Sequence, residues 1–154
     1  GTDGDGWHPR AEALLFAAAR SDHVERLILP ALGRGAWVIC DRFFDSSRAY
    51  QGGGGGLSDA DLRDLHRIGS HGLLPELTLL VEVSPAVAAQ RLDLRDAGNA
   101  DRIGGRDAAY HAKVAAAFAR FAAEEPARFA RIDGDGSAEA VHAAIMAALG
   151  SWLP

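Results

Sequence analysis

The chain has 154 residues, a formal net charge of −5 at pH 7 and 48% hydrophobic residues, which suffices for one domain with one buried core. The acidic balance and the absence of a Lys/Arg-rich run argue against nucleic acid or an anionic membrane as the main partner, although a local arginine cluster can still bind a small anion. The single Cys40 excludes an internal disulfide and a Cys-rich metal site, and no apolar run is long enough to span a membrane. We therefore expect a cytoplasmic location.

The first half of the sequence predicts one strand, with one helix before it and one helix after it. Apolar residues recur at helical spacing from Pro9 to Leu32, where glycines follow. Ala36–Cys40 is a continuous apolar run rich in β-forming residues, which predicts a strand covered on both faces. Gly52–Gly56 predicts a flexible loop. Ser58 then caps a helix that extends from Asp59 to about Ile68, with Leu57 and Leu62 as a hydrophobic staple.

The second half alternates strands and helices. Strands are predicted at Leu77–Val83 and Phe129–Ile132. Three helices are predicted. The first begins at Ser84-Pro85 and ends near Leu94, and the second is capped by Asp107 and ends near Glu124. The third lies between Ser137 and Gly150. This alternation is typical of a single α/β domain with a parallel sheet covered by helices on both faces.

Two observations concern phosphate chemistry. Asp41 and Arg42 directly follow the first predicted strand, and ligands of such sheets bind at the carboxyl ends of the strands. A strand-end ion pair is an equally good reading of these two residues alone. Lys113 is the only lysine among 16 basic residues, and it lies far from any glycine run, so this sequence contains no Walker A motif.

Three segments, taken in order, resemble the bacterial thymidylate kinases: Leu14–Arg20, Asp41–Phe43 and Ser46–Gly52. Further similar segments cover nearly the whole chain, and they are Pro30–Leu32, Trp37–Ile39, Pro75–Leu79, Asp101-Arg102 and Tyr110-His111. The resemblance implies a P-loop-kinase-like fold whose first βαβ portion, with the ATP-cradling loop, is missing. It also implies that a strand from that portion lies between the strands at 36–40 and 77–83.

The resemblance implies that Phe16 stacks on the thymine ring and that Arg20 donates to thymine O4. Residues four positions apart share a helix face, and a guanidinium, which only donates, disfavours the amino group of cytosine. Without the resemblance, Phe16 reads as a core aromatic and Arg20 as a solvated charge. The remaining implied substrate contacts are Ser47 and Gln51 near the base, where ordinary loop hydrogen bonding is the alternative, and Tyr50 against the sugar, where it disfavours a 2′-hydroxyl.

The catalytic roles implied by the resemblance belong to arginines and one carboxylate. Arg42 bridges the acceptor and donor phosphates, and Asp41 lies near Mg²⁺, which it holds through water. Residues 91–106 resemble the family lid, in which Arg95 and Arg102 stabilise transition-state charge. Gly104-Gly105 departs from the acidic residue usual there, and a solvated charged loop is the alternative. No role is assigned to Arg48.

The function implied is phosphoryl transfer from MgATP to dTMP, giving dTDP for dTTP and DNA precursor synthesis, by an enzyme that forms a homodimer when complete. Because the P-loop is absent, we expect this chain alone to be inactive. The alternatives are a non-catalytic nucleotide-binding remnant and a related deoxynucleotide kinase.

Overall fold

The structure is a computed structural model that describes residues 7–96 and 108–152, and these residues divide into two compact units. Unit 1 lies within Gly1–Leu74 and Asp107–Phe118, and unit 2 lies within Pro75–Arg106 and Ala119–Pro154. Among the described residues, none of the helices is both long enough and apolar enough to cross a membrane.

Unit 1 begins with one continuous helical stretch, which confirms the first predicted helix. It consists of helix α1 (Pro9–His23), the π-helical segment π1 (Val24–Ile28) and helix α2 (Leu29–Gly33). Pro30 lies in the first turn of α2, directly after π1. A proline inside an unbroken α-helix would deprive the carbonyl four residues earlier of its donor, which accounts for the widened turn just before it.

Helix α3 (Phe44–Ser47) continues into a second π-helical segment, π2 (Arg48–Gly54), and helix α4 (Asp59–Ser70) follows. The Ser58 hydroxyl caps α4 by accepting a hydrogen bond from the Asp61 amide at 3.1 Å, as the sequence predicts. Leu57 packs against the buried cluster that contains Leu62, which agrees with the predicted hydrophobic staple. The prediction of a flexible loop at Gly52–Gly56 is wrong, because its first three glycines are helical.

The core of unit 1 forms where α1, α3 and α4 meet. Ala13, Phe44 and Leu62 are buried there, with Phe43 and Leu65 packed against them. His66 of α4 stacks on Phe44 with a centroid separation of 4.0 Å and an angle of 7° between the rings. The phenyl ring of Phe44 is therefore held between the helix that carries Ala13 and the imidazole of α4.

A buried guanidinium ties α4 to the start of π2. Arg48 is only 3% exposed, and its Nε donates to Asp59 Oδ1 at 2.7 Å. Its Nη1 donates to Asp45 Oδ1 at 3.1 Å, and the Asp45 side chain is also buried. Burial raises the pKa of the Asp59 carboxyl, but the hydrogen bonds and positive charges of Arg48 and Arg63 outweigh it, so the net shift is downward.

Unit 2 contains a two-stranded parallel sheet. Strand β1 (Thr78–Glu82) pairs with strand β2 (Phe129–Asp133), with Thr78 opposite Phe129 and Glu82 opposite Asp133. These strands lie where the sequence predicts them, and so do helices α5 (Pro85–Asp96) and α7 (Ala138–Leu149). Helix α6 (Ala108–Glu124) is also confirmed, and its residues up to Phe118 belong to unit 1. The Ser137 hydroxyl caps α7 by accepting from the Ala140 amide at 3.2 Å. Asp107, the predicted cap of α6, lies outside the described residues.

The predicted strand at Ala36–Cys40 is wrong. These residues form neither helix nor strand and join no sheet, and most of them are exposed, with Ile39 at 96% and Trp37 at 60%. The parallel sheet of the described residues therefore has two strands and not three. An apolar run supplies side chains for a strand, but the strand forms only when a neighbouring backbone satisfies its amides and carbonyls. The predictions of a single domain and of a missing first βαβ portion stay predictions.

We predict that Arg48→Ala lowers the free energy of unfolding by about 3–5 kcal/mol, because the buried Asp45 carboxylate loses its guanidinium. Chemical denaturation measures the change. Arg67→Ala is the matched control, since Arg67 pairs with Asp64 at 3.4 Å and both side chains are more than two-thirds exposed. We expect a change within about 0.5 kcal/mol there. Equal effects of the two substitutions would contradict the importance of the buried pair.

The burial of His66 leads us to predict that the free energy of unfolding falls in acid. Its Nε2 donates to the Leu73 carbonyl at 2.6 Å, while Nδ1 is buried with no hydrogen-bond partner among the described residues. Burial lowers the pKa of His66 from its ordinary 6.5, helped by Arg20 and Arg63 and opposed by the Leu73 carbonyl and Asp45. Below about pH 6.5 the unfolded chain therefore binds a proton that the folded chain rejects, so the free energy of unfolding falls as the pH drops.

The test is to compare the free energy of unfolding at pH 7.5 and pH 5.5 in the parent and in His66→Gln. The variant should lose less stability between the two pH values, because it has no imidazole to titrate. His142→Gln, at an exposed histidine of α7, is the control and should behave like the parent. If His66→Gln shows the parent's full pH dependence, another group is responsible for it.

Candidate functional site

The predicted substrate residues of unit 1 line one open cleft with a volume of about 510 Å³. It receives side chains from α1, from the turn after Cys40, from α3 and from π2. The lining residues are Glu12, Phe16, Ala19, Arg20, His23, Asp41, Arg42, Phe43, Ser46, Ser47, Tyr50 and Gln51. The structure thus brings together all of the predicted residues that precede β1.

One face of α1 forms a wall of the cleft. Glu12, Phe16, Arg20 and His23 follow one another at intervals of three or four residues and so share that face. The Phe16 side chain is 51% exposed, so its ring lies open to the cleft and is not a core residue. An exposed aromatic ring on a concave surface offers a flat ligand a stacking surface.

Arg20 is held in place from three sides. Its Nη2 donates to the Ser47 hydroxyl at 2.5 Å. Its guanidinium carbon lies 5.7 Å from the ring centre of Phe43 and 6.0 Å from that of Phe44. Burial lowers the pKa of Arg20, and the charges of Cys40 and Asp45 act in the opposite direction. An arginine anchored in this way presents its remaining donors in a fixed direction.

The turn between Cys40 and Phe43 has an uncommon backbone conformation. Arg42 has φ of 62°, in the left-handed region that side chains other than glycine rarely adopt. The Cys40 thiol donates to the Arg42 carbonyl at 3.4 Å. Burial and the charge of Asp41 raise the pKa of this thiol, whereas Arg20 lowers it. Strained residues of this kind are concentrated at binding and catalytic sites, since the surrounding structure must hold them.

The side chains of Asp41 and Arg42 are both exposed, and both line the cleft. The Arg42 guanidinium lies over the Tyr50 ring, 5.0 Å from its centre. This contact directs the cation to the same end of the cleft as the tyrosine. Among the described residues, no group of three or more His, Cys, Asp or Glu side chains could hold a metal ion by itself. Any cation bound near Asp41 would take its other ligands from substrate and water.

Tyr50 is supported from behind by α6. Tyr110 donates from its hydroxyl to the Tyr50 carbonyl at 3.0 Å, and the rings of Tyr110 and Phe118 each lie 6.4 Å from the Tyr50 ring. A Cβ added at Gly53 would lie 2.6 Å from the Ala117 side chain, and one added at Gly54 would collide with the Tyr110 ring. The absence of side chains in the glycine run is therefore what lets α6 approach π2.

Gln51 lies beside Tyr50 and is 4% exposed. Its amide nitrogen donates to Glu12 Oε1 at 3.1 Å, across 39 positions of sequence. Arg48, to which the sequence assigns no role, does not line the cleft and belongs to the buried ion pairs beneath it.

The predicted lid residues lie largely outside the described structure. Residues 91–96 are the last turns of α5, so Arg95 lies on a helix, and Arg102 is outside the described residues. Their proposed roles stay predictions. The sequence interpretation also missed Glu12, His23, Phe43 and Ser46. Extending the helical spacing from Phe16 and Arg20 in both directions would have found Glu12 and His23, since they share the same face.

We predict that Gly54→Ala lowers the free energy of unfolding by about 1–3 kcal/mol and shifts Tyr110 away from Tyr50, because the added methyl has no space. Thermal unfolding and near-ultraviolet circular dichroism measure the two effects. Gly33→Ala, where a Cβ meets no atom within 4 Å, is the control. It should change the free energy of unfolding by no more than about 1 kcal/mol and leave the circular dichroism spectrum unchanged. A harmless Gly54→Ala would show that α6 does not pack tightly on the glycine run.

Comparisons with known proteins agree on one family. A family model described as thymidylate kinase matches residues 4–145. A thymidylate kinase of Rhizorhabdus wittichii is 53% identical over 150 residues, covering 97% of this chain and 72% of that protein. One from Chromohalobacter salexigens is 46% identical over 146 residues, covering 92% of this chain and 68% of that protein.

A solved structure shows the same fold. The crystal structure of thymidylate kinase from Ehrlichia chaffeensis matches with a TM-score of 0.71 at 23% identity, covering 98% of this chain and 70% of that chain. This match supports the predicted kinase-like α/β fold class, and the prediction of an ATP-cradling segment ahead of Gly1 stays open. The family match spans most of the chain and the relatives are well above 30% identical, so the chain belongs to the thymidylate kinase family.

Proposed function

We propose that this chain binds dTMP in the cleft of unit 1 and takes part in phosphoryl transfer from MgATP to dTMP, giving dTDP for DNA precursor synthesis. The observation that supports this most directly is the convergence of Phe16, Arg20, Arg42, Tyr50 and Gln51 on one cleft. Family membership supplies the reaction, and the cleft supplies a surface of suitable size and chemistry for a nucleoside monophosphate.

The base binds at the end of the cleft formed by α1. The exposed Phe16 ring stacks on the thymine, and Arg20 donates to O4. Ser47 supports this arrangement by fixing one of the Arg20 nitrogens, which leaves the other donors for the ligand. Cytosine carries an amino donor where thymine carries O4, so it would place two donors opposite each other.

The sugar binds against Tyr50. Its ring is fixed by Arg42 on one side and by Tyr110 and Phe118 behind, so it cannot easily move to admit a larger ligand. A rigid ring at this position disfavours a 2′-hydroxyl and so favours deoxyribose.

The phosphates meet at Arg42 and Asp41. An exposed guanidinium can form paired hydrogen bonds to phosphate oxygens, and here it bridges the acceptor and donor phosphates. The chemistry of the site suits Mg²⁺, since a single exposed carboxylate with room for water matches its preference for few protein ligands together with phosphate oxygens. Asp41 would hold this ion through water. When bound, Mg²⁺ neutralises charge on the phosphates.

The reaction needs no covalent bond to the protein. A dTMP phosphate oxygen attacks the γ-phosphorus of ATP in line, the bond from that phosphorus to the β,γ-bridging oxygen breaks, and ADP leaves. The protein positions the two nucleotides and spreads the charge of the transition state. Arg42 does this from the cleft, and Arg95 and Arg102, which belong to the segment that resembles the family lid, add to it.

Further features complete this proposal. These 154 residues contain no P-loop to cradle the ATP phosphates, so we expect the chain alone to form no significant dTDP from MgATP and dTMP. The enzyme acts in the cytoplasm and forms a homodimer. About half of the side-chain surface of Leu14, Leu15 and Leu27 is exposed, which supports association through this helical stretch.

We expect Arg20→Ala to weaken dTMP binding by about 1–3 kcal/mol and to change ATP binding much less, because only dTMP loses a charged donor to its base. Isothermal titration of each nucleotide into the purified protein measures both affinities. Arg20→Lys keeps a positive charge but loses the fork, so it should recover only part of the dTMP affinity.

Arg26→Ala is the matched control, since Arg26 pairs with Asp22 at 2.6 Å on the exposed side of the same helical stretch. It should leave both affinities unchanged. Equal losses for dTMP and ATP in Arg20→Ala, or no loss, would exclude Arg20 as a reader of the base.

A further inference from the structure

We propose that Glu12 is a positioning residue that fixes the orientation of the Gln51 amide and so makes the cleft select thymine over cytosine. This inference rests on the proposed function, since it concerns the base that the cleft reads. It adds Glu12 of α1 to that proposal. This residue acts on the base through Gln51, because it determines which edge of the Gln51 amide faces the base.

The contact between the two side chains is well defined. Gln51 is buried in the wall of the cleft at 4% exposure, and its Nε2 lies 3.1 Å from Glu12 Oε1. Within the described part of the chain, this is the hydrogen bond that the Gln51 side chain makes. Both residues also line the cleft that holds Phe16 and Arg20.

The direction of this hydrogen bond follows from the chemistry of the partners. An ionised carboxylate accepts hydrogen bonds and donates none, whereas a glutamine amide has a donor edge and an acceptor edge. Glu12 therefore holds the NH₂ group of Gln51 toward itself. Turning the amide over would place its carbonyl oxygen against the carboxylate, and two acceptors facing each other in this part-buried contact are unfavourable.

With the NH₂ group engaged, Gln51 retains its carbonyl oxygen as the group that can meet a ligand. An acceptor at this position matches the N3–H of thymine, just as the donors of Arg20 match its O4. Cytosine has the opposite pattern, with a bare N3 acceptor and an amino donor. Glu12 thus turns an ambiguous amide into a fixed acceptor, and Gln51 together with Arg20 recognises two adjacent atoms of the base edge.

The test measures binding of dTMP, dUMP and dCMP to the purified full chain by isothermal titration. In Glu12→Gln, residue 12 keeps its size but can both donate and accept, so the Gln51 amide is free to turn over. The ratio of dTMP to dCMP affinity should then fall by about tenfold, which corresponds to about 1.4 kcal/mol. The ratio of dTMP to dUMP affinity should not change, because both bases present the same edge.

A swapped pair separates this role from a general effect on folding. In the double variant Glu12→Gln with Gln51→Glu, residue 12 donates to a carboxylate at residue 51, whose second oxygen again faces the base as an acceptor. The net charge of the pair is unchanged, and the parent ratio of dTMP to dCMP should return. Asp22→Asn, which removes an exposed carboxylate from the same helix, is the control and should keep the parent ratio throughout.

The outcomes distinguish the two proposals. A parent chain that binds none of the three nucleotides, or binds dTMP and dCMP equally, would overturn the proposed base recognition, and this inference with it. If the parent is selective but its ratio of dTMP to dCMP affinity is unchanged in Glu12→Gln, the role of Glu12 alone is overturned. The same follows if that ratio is lost in both Glu12→Gln and the swapped pair. If Glu12→Gln does not fold, the swapped pair against the parent decides the matter.

Discussion

The buried guanidinium of Arg48 is the constraint on which the cleft depends. It joins Asp45 of α3 to Asp59 at the first turn of α4, and it does so with almost no exposure to solvent. Arg48 lies between the residues that contribute Ser46 and Ser47 on one side and Tyr50 and Gln51 on the other. Because a buried charge must keep its partners, the chain here has very few alternative conformations, and the neighbouring side chains are fixed toward the cleft.

Such an ion pair contributes geometry more than net stability. Desolvation of a guanidinium and two carboxylates offsets much of their attraction, so an apolar replacement of similar volume can be equally stable. Apolar packing, with Phe44 between Ala13, Leu62 and the ring of His66, supplies the favourable burial. The ion pairs of Arg48 therefore fix the position of π2, whereas the apolar packing around Phe44 supplies the free energy that holds the helices together.

Small residues and strained residues have complementary roles around this core. Gly53 and Gly54 allow α6 to approach, which brings Tyr110 within hydrogen-bond distance of the Tyr50 backbone. Arg42 accepts a left-handed backbone conformation, and its guanidinium then lies over the Tyr50 ring. Tyr50 is thus held from the front and from behind. The chemistry proposed for the cleft needs this rigidity, since discrimination between similar nucleotides requires groups that do not move to accommodate the wrong one.

The sequence by itself determined the long helices, the strands β1 and β2, and the predicted substrate residues of the cleft, because spacing, capping residues and the resemblance of ordered segments are local properties of the chain. It did not predict α3 and π2, nor Glu12, His23, Phe43 and Ser46 as lining residues. It failed at Ala36–Cys40 and at Gly52–Gly56. A strand depends on a partner backbone distant in sequence, and a glycine run becomes helical only when another helix packs on it. Only the tertiary structure revealed the ion pair of Arg48 with Asp59 and the bond from Gln51 to Glu12, since these join residues whose separation in sequence has no periodic pattern.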